Sequence, residues 1–416
     1  MSEKLILPQR KSVVIESIFA ICLVLCLVFS FENSEVVSPD GVLYHELAHN
    51  LIDGDGYHDN IRNDFILPSI GHPLLILIAE SLGINNPLSF ARILLCIGLI
   101  IAFFTAKKLK LPRYTPIFVI LLMFAIIPEV YDWGVELSLF FSINLVLFCI
   151  VRFVYHTDIV SAIFLGLAMA LNLLIRPIYS PLIYLSILFA IILLIKFKTR
   201  LIPVLISLFV AVGIVNGVTL FSKAKFGDKR LSSGTYSEIP LYCANNKYLE
   251  LKETYWSSRW NELSAEEYSK AVGPLQITTT WKDRADTLRK EVIYFYKTHP
   301  AKAIGGILWR ASRFTYDQPK AIGTILFIIW SVMSLSLFWH RRRSFLFVKK
   351  ACNLYWIGAI LPVYTVGVLS LFVYAGERYN LSTNLVFILG ILLYIPVLQN
   401  FLKERRNEKL ISQEQP

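Results

Sequence analysis

The pentapeptide His45-Glu46-Leu47-Ala48-His49 carries two imidazoles four residues apart with a carboxylate beside the first. On a helix that spacing turns both rings to one side, as in the H-E-x-x-H hydrolases, which bind zinc through the histidines and use the glutamate as base. Such a site needs a third ligand from another element. His58 lies farther from His49 than the spacing of one zincin class allows, and no E-x-x-x-D pattern stands out downstream. Just upstream, Asp40 precedes Tyr44 by about one helical turn, and Gly54-Asp55-Gly56-Tyr57 closes the segment. Apolar residues at Val42, Leu43, Leu47, Leu51 and Ile52 repeat with helical spacing, which predicts a short helix over 40–52 with Asp40 near its start. A carboxylate there is favoured by free backbone amides and by the helix dipole.

The elements that must hold these groups are membrane spans. Of 416 residues, 55% are hydrophobic and only 17% charged, whereas a soluble domain carries about 25% charged residues. An all-α polytopic membrane protein is expected. The first apolar run, from Val13 to Phe31, lacks a small-x-small cleavage pattern and is followed by many more runs, so it reads as a retained span. Of the six cysteines only Cys243 lies in a polar stretch, which argues against a disulfide framework and a cysteine zinc site.

About ten runs reach the length needed to cross a hydrocarbon core of about 30 Å. They begin near Val13, Leu88, Thr115, Gly134, Ile159, Pro181, Leu201, Ala321, Cys352 and Ser382. The net charge of +11 gathers between them, notably at Lys107-Lys108, Lys196 to Arg200, Arg341-Arg342-Arg343 and Lys403 to Lys409. With the N-terminus inside, these clusters fall on the cytoplasmic face, so the charge serves topology rather than nucleic-acid binding. The same alternation gives an N-terminal transmembrane core at 1–222 with a first external loop at 32–86. An external subdomain follows at 223–320, and C-terminal spans with a cytoplasmic tail occupy 321–416.

Charges also remain in the short external turns, at Asp132 and Glu136, at Arg176, and at Glu377-Arg378-Tyr379. A charge at the bilayer centre costs about 2.5 to 3.5 kcal/mol on insertion scales. Charges kept at helix ends on one face are therefore candidates for a shared polar site, or else snorkel at the headgroups. The apolar part of 68–83, which contains Gly71-His72-Pro73-Leu74, is too short to span and predicts an interfacial or re-entrant helix.

Taken in order, these pieces resemble the GT-C glycosyltransferases that use polyprenyl-phosphate sugars, in the branch of the protein mannosyltransferases and the bacterial lipid A sugar transferases. The likeness runs through Asp40 with Tyr44, Ala48 and Leu51; Gly54 to Tyr57; Gly71-His72-Pro73-Leu74; the acidic turn ending in Glu136; Leu173 to Pro177; His299-Pro300; and Glu377-Arg378-Tyr379.

That resemblance implies a GT-C-like fold with a cavity open to the non-cytoplasmic side and Asp40 as the catalytic residue. Asp40 would take the proton from an acceptor hydroxyl as it attacks C1 of the sugar. Arg176 and Arg378 would bind the departing phosphate, for which a guanidinium offers a charged fork of donors. Glu136 and Asp132 would position the acceptor or hold a cation, Glu377 would orient Arg378, and Tyr44, His72 and Tyr379 would support the site. No cofactor is required, although a divalent cation has a place.

The overall likeness is to serotype-converting O-antigen glucosyltransferases of the bacterial inner membrane, acting on the periplasmic side. The implied partners are undecaprenyl-phosphate glucose, an O-antigen or other glycan acceptor, the bilayer, and membrane proteins that make and flip the donor lipid. Two other readings compete: a transporter or flippase for a lipid-linked saccharide, and an H-E-x-x-H membrane zinc protease.

Overall fold

The computed structural model describes residues 6–31, 39–57, 69–127, 134–176, 202–226, 238–246, 281–315, 321–341, 349–372 and 377–413. All regular structure among them is helical. In chain order the helices are α1 (Ile6–Phe29), α2 (Pro39–Asp53), α3 (Gly71–Ser81), α4 (Pro87–Lys108), α5 (Thr115–Ala125), α6 (Glu136–Tyr155) and α7 (Ile159–Ile175). There follow α8 (Ile202–Phe226), α9 (Glu238–Ala244), α10 (Trp281–Thr298), α11 (Pro300–Arg313), α12 (Ala321–Arg341), α13 (Lys349–Phe372) and α14 (Glu377–Gln413).

Their ends follow from short polar signals. Asn86 caps α4 by accepting the Ser89 amide at 3.1 Å, with Pro87 in the first turn where its missing N–H costs nothing. Asp158 caps α7 through the Ser161 amide at 2.7 Å and its hydroxyl at 3.0 Å, and these bonds hold the carboxyl below the usual range. Lys107 and Lys108 close α4, where cations suit the helix dipole. Lys107 and Arg113 both pair with Glu16 of α1, Arg113 at 2.8 Å.

The expectation of about ten spans is corrected to five among the described residues. Only Pro87–Lys108, Glu136–Tyr155, Ile202–Lys225, Ala321–Trp339 and Leu381–Lys403 are long and apolar enough to cross a membrane. The runs near Thr115 and Ile159 form the short apolar helices Thr115–Ala125 and Ile159–Ile175, and those near Val13 and Cys352 give the apolar stretches Val14–Phe29 within α1 and Tyr355–Leu371 within α13. The run near Pro181 lies outside the described residues. Even 17 residues rise only about 26 Å, short of a core of about 30 Å. A run of apolar residues is not a helix of the same length: α5 ends at Ala125, and α7 runs only from its Asp158 cap to Ile175. The chain remains a multi-pass, all-α membrane protein.

One large core joins α1, α4, α5, α6, α12, α13 and α14. In it α12, α13 and α14 come together at Gly358 and Gly390, where a Cβ on Gly390 would meet the Trp330 ring and the Gly358 carbonyl. Small residues permit this approach, as they do between helices in lipid, and Trp330 Nε1 donates to the Gly358 carbonyl at 2.9 Å. Helices α7 and α8 run parallel, since Gly166 faces Ser207 and Val210 while Leu174 and Val218, farther along each helix, both pack against the cluster of Leu43, Leu47, Tyr57 and Ile70.

The described part of 223–320 is tied to the bundle by Arg310. This fully buried side chain donates to the Ala244 carbonyl at 2.7 Å, the Asn245 amide oxygen at 2.8 Å and the Ser370 carbonyl at 2.7 Å. Asn245 in turn donates to the Leu371 carbonyl at 3.1 Å and accepts the Tyr296 hydroxyl at 3.0 Å. These carbonyls belong to the last turns of α9 and α13, where C=O groups have no intrahelical donor and the helix dipole is negative. Two helix termini thus stand in for a carboxylate. Burial pulls the guanidinium down to about 10, opposed by Tyr296, so it stays charged at neutral pH. Arg310→Met should therefore destabilise the protein by about 3 kcal/mol or more, because three acceptors lose a charged donor. Thermal unfolding in detergent measures this, and an unchanged midpoint would contradict it.

Candidate functional site

Site geometry begins where α3 meets the end of α7. A Cβ on Gly71 would run into the Leu174 carbonyl and the Ile175 amide, so the two helices touch backbone to backbone. Ser69 reinforces the contact by donating its hydroxyl to the Ile175 carbonyl at 2.9 Å, satisfying an acceptor that the helix end leaves free. The next residue, His72, is then driven fully inside, with Nδ1 2.7 Å from the Ser138 hydroxyl in the first turn of α6. Tyr44 of α2 meets the His72 ring edge-on at 4.5 Å between centroids, and Phe90 of α4 lies at 5.9 Å. Four helices therefore converge on one imidazole.

Glu136 opens α6 only two residues before Ser138 and is 5% exposed, buried beside the amide end of its helix, where a negative charge is favoured. Arg176 caps the other end of the contact, half-buried in extended backbone, with its amide bonded to the Asn172 carbonyl at 2.8 Å. Deeper between α6 and α7, Asn172 donates to the Ser142 hydroxyl at 3.0 Å, which donates to the Leu139 carbonyl at 3.0 Å.

Helix α2 lies over this junction. Gly54 and Gly56, with φ of +84° and +97°, adopt the left-handed turn that returns the chain beneath α2. That turn buries Tyr57 among Leu43, Leu47 and Ile70. Burial, with Tyr44 nearby, pushes the Tyr57 phenol well above its ordinary value, so it stays a proton donor. Asp40 stands half-buried in the first turn of α2, one turn from Tyr44.

Tyr44, His72, Glu136 and Arg176 therefore gather at one end of the bundle, with Asp40 on the helix that presents Tyr44. Glu377, Arg378 and Tyr379 open α14. Nothing is described of their side chains, and Asp132 lies outside the described residues.

The H-E-x-x-H segment occupies a different flank of α2. His45 Nε2 lies 2.9 Å and His49 Nε2 3.4 Å from the two carboxylate oxygens of Glu80, in the last turn of α3. The two rings are 4.5 Å apart and tilted by 55°. One donor atom from each residue falls within 4.8 Å of the others, so the three could hold a divalent cation. Glu80 supplies the third donor that the sequence did not reveal. Glu80 is the one acidic residue of α3, but nothing in its spacing links it to His45 and His49. Ser138 and Ser69 had no signal either, since their roles arise from packing alone.

No protein-family model matches the chain, and no curated protein matches it. The site's chemistry therefore rests on its own geometry. Gly71→Val should push α3 off α7, cost on the order of 2–3 kcal/mol in stability and expose His72. Thermal unfolding and accessibility of the imidazole to acylation measure both effects. A variant as stable as the parent with His72 still protected would contradict the backbone contact.

Proposed function

We propose that the protein is a membrane glycosyltransferase that moves a hexose, in our reading glucose, from an undecaprenyl-phosphate donor to a glycan acceptor such as O-antigen. The observation that carries this reading is the gathering of Tyr44, His72, Glu136 and Arg176, from four separate helices, at one end of an apolar bundle beside Asp40. A transfer from a lipid phosphate needs a base, a cation for the leaving phosphate and acceptor-positioning groups together at the membrane boundary. All three residue types are present there. In this reading the site faces the periplasm, and the chain resides in a bacterial inner membrane.

Asp40 acts as general base on the acceptor hydroxyl. As the O–H bond gives up its proton to the carboxylate, the new bond forms from that oxygen to C1 and the bond from C1 to the phosphate oxygen breaks. Attack from the face opposite the phosphate inverts the anomeric centre. Arg176, joined by Arg378, takes the negative charge that accumulates on the leaving phosphate. Tyr44, His72 and Tyr379 shape the acceptor side, Glu136 with Asp132 orients its hydroxyls, and Glu377 orients Arg378.

Expression of the parent chain in a bacterium with a defined O-antigen and a polyprenyl-phosphate-glucose supply should add a hexose to the polysaccharide. Asp40→Asn at matched protein level should lower the addition by about 10²-fold or more, as removal of a general base does. Mass and linkage analysis of the polysaccharide measures it. Hexose addition undiminished by the substitution would overturn Asp40 as base.

A further inference from the structure

We propose that His45, His49 and Glu80 bind one zinc-class divalent ion, and that this ion clasps α2 to α3 and so fixes the helix that presents Asp40 and Tyr44. The ligand set is of borderline character, two imidazole nitrogens and one carboxylate oxygen, which favours zinc or its neighbours over magnesium or calcium. The geometry is close to what such an ion needs. Ligands about 2.0–2.1 Å from a tetrahedral zinc stand about 3.3 Å from one another. The nitrogen-to-oxygen distances, 2.9 Å from His45 and 3.4 Å from His49, run to the two different oxygens of the Glu80 carboxylate, and one donor atom from each residue lies within 4.8 Å of the others. A turn of the carboxylate that brings one oxygen toward both imidazoles, with a small closing of the donors, converts the arrangement seen into a liganded one.

The backbone already fixes the donors. His45 and His49 are four residues apart on one helix, so both rings lie on the same flank and reach the same carboxylate. Glu80 is 14% exposed, while the histidine side chains are 40% and 46% exposed, which gives an ion a solvent path on the histidine side and a fixed anion on the other. Three protein ligands leave a fourth position for water.

The mechanical need is local. Helix α2 rests on a small apolar cluster, Leu43, Leu47, Tyr57 and Ile70, reaches the main core among the described residues only through Ala48 and Tyr44, and exposes Val42 and Ile52 to the outside. An ion bridging its middle to α3 adds a crosslink between the two helices that meet at Tyr44 and His72. Asp40 lies five residues before His45, about 7.5 Å along the axis, so the ion acts on Asp40 by holding its helix rather than by touching it.

The test uses the full chain, purified in detergent on a histidine-free tag and dialysed against zinc. Elemental analysis should find one zinc per chain in the parent and in His156→Ala, whose exposed imidazole serves as a control. The zinc should be lost in His45→Ala, His49→Ala and Glu80→Gln. Cobalt loaded in its place should give the visible bands of a four-coordinate ion, and chelation should lower the parent's unfolding midpoint without lowering that of Glu80→Gln. No stoichiometric metal in the folded parent, or metal retained by all three variants, would overturn the site. Zinc-dependent peptide cleavage that Glu46→Gln abolishes while keeping the metal would overturn the clasp and make the ion a reagent. This outcome is independent of hexose transfer, which is read on a different product.

Discussion

The site depends on one close approach, that of Gly71 to the last carbonyls of α7. Without a Cβ at this position the two backbones come into contact, and Ser69 adds a hydrogen bond to the Ile175 carbonyl. Everything that distinguishes this end of the bundle is registered from there. His72 follows by one residue and must enter the interior, and Ser138 of α6 receives it. Tyr44 then finds a ring edge to pack against, and α2 takes its orientation. The cost of burying a polar imidazole is offset by its hydrogen bond, as a low-dielectric interior requires.

The opposite end of α4 follows a simpler rule. There Glu16 is shared by Lys107 and Arg113, an ordinary pairing at a boundary rich in basic residues. The contrast gives the molecule a direction. One end holds Lys107 and Arg113 paired with Glu16, while the other holds a histidine, a buried acid and an arginine at helix termini. Arg310 solves a related problem elsewhere by neutralising the carbonyl ends of α9 and α13, which anchors α10 and α11 to the bundle.

Much of the local structure was legible in the sequence. The spacing of Val42, Leu43, Leu47, Leu51 and Ile52 predicts α2, and the short apolar stretch around Pro73 predicts α3. The break at His299-Pro300 separates α10 from α11 as the proline requires. Span counting failed because the length of an apolar run does not fix the length of the helix inside it: α5 ends at Ala125, and α7 covers only Ile159 to Ile175. The carboxylate opposite His45 and His49 was not legible, because nothing in a linear pattern says that the last turn of α3 folds against the middle of α2. Arg310 was hidden for the same reason: it lies among apolar residues of an amphipathic stretch, and its acceptors come from helix ends far away in sequence.

Central to this account is the claim that the polar end of the bundle transfers a sugar from a lipid phosphate. The most direct measurement incubates purified protein in liposomes with polyprenyl-phosphate hexose labelled in the sugar, with and without a glycan acceptor, and follows both the labelled glycan and the freed polyprenyl phosphate. The account predicts that the two products appear in equal amounts and only when acceptor is present. Labelled donor that crosses the bilayer intact, with neither product formed, would contradict it and identify a carrier instead.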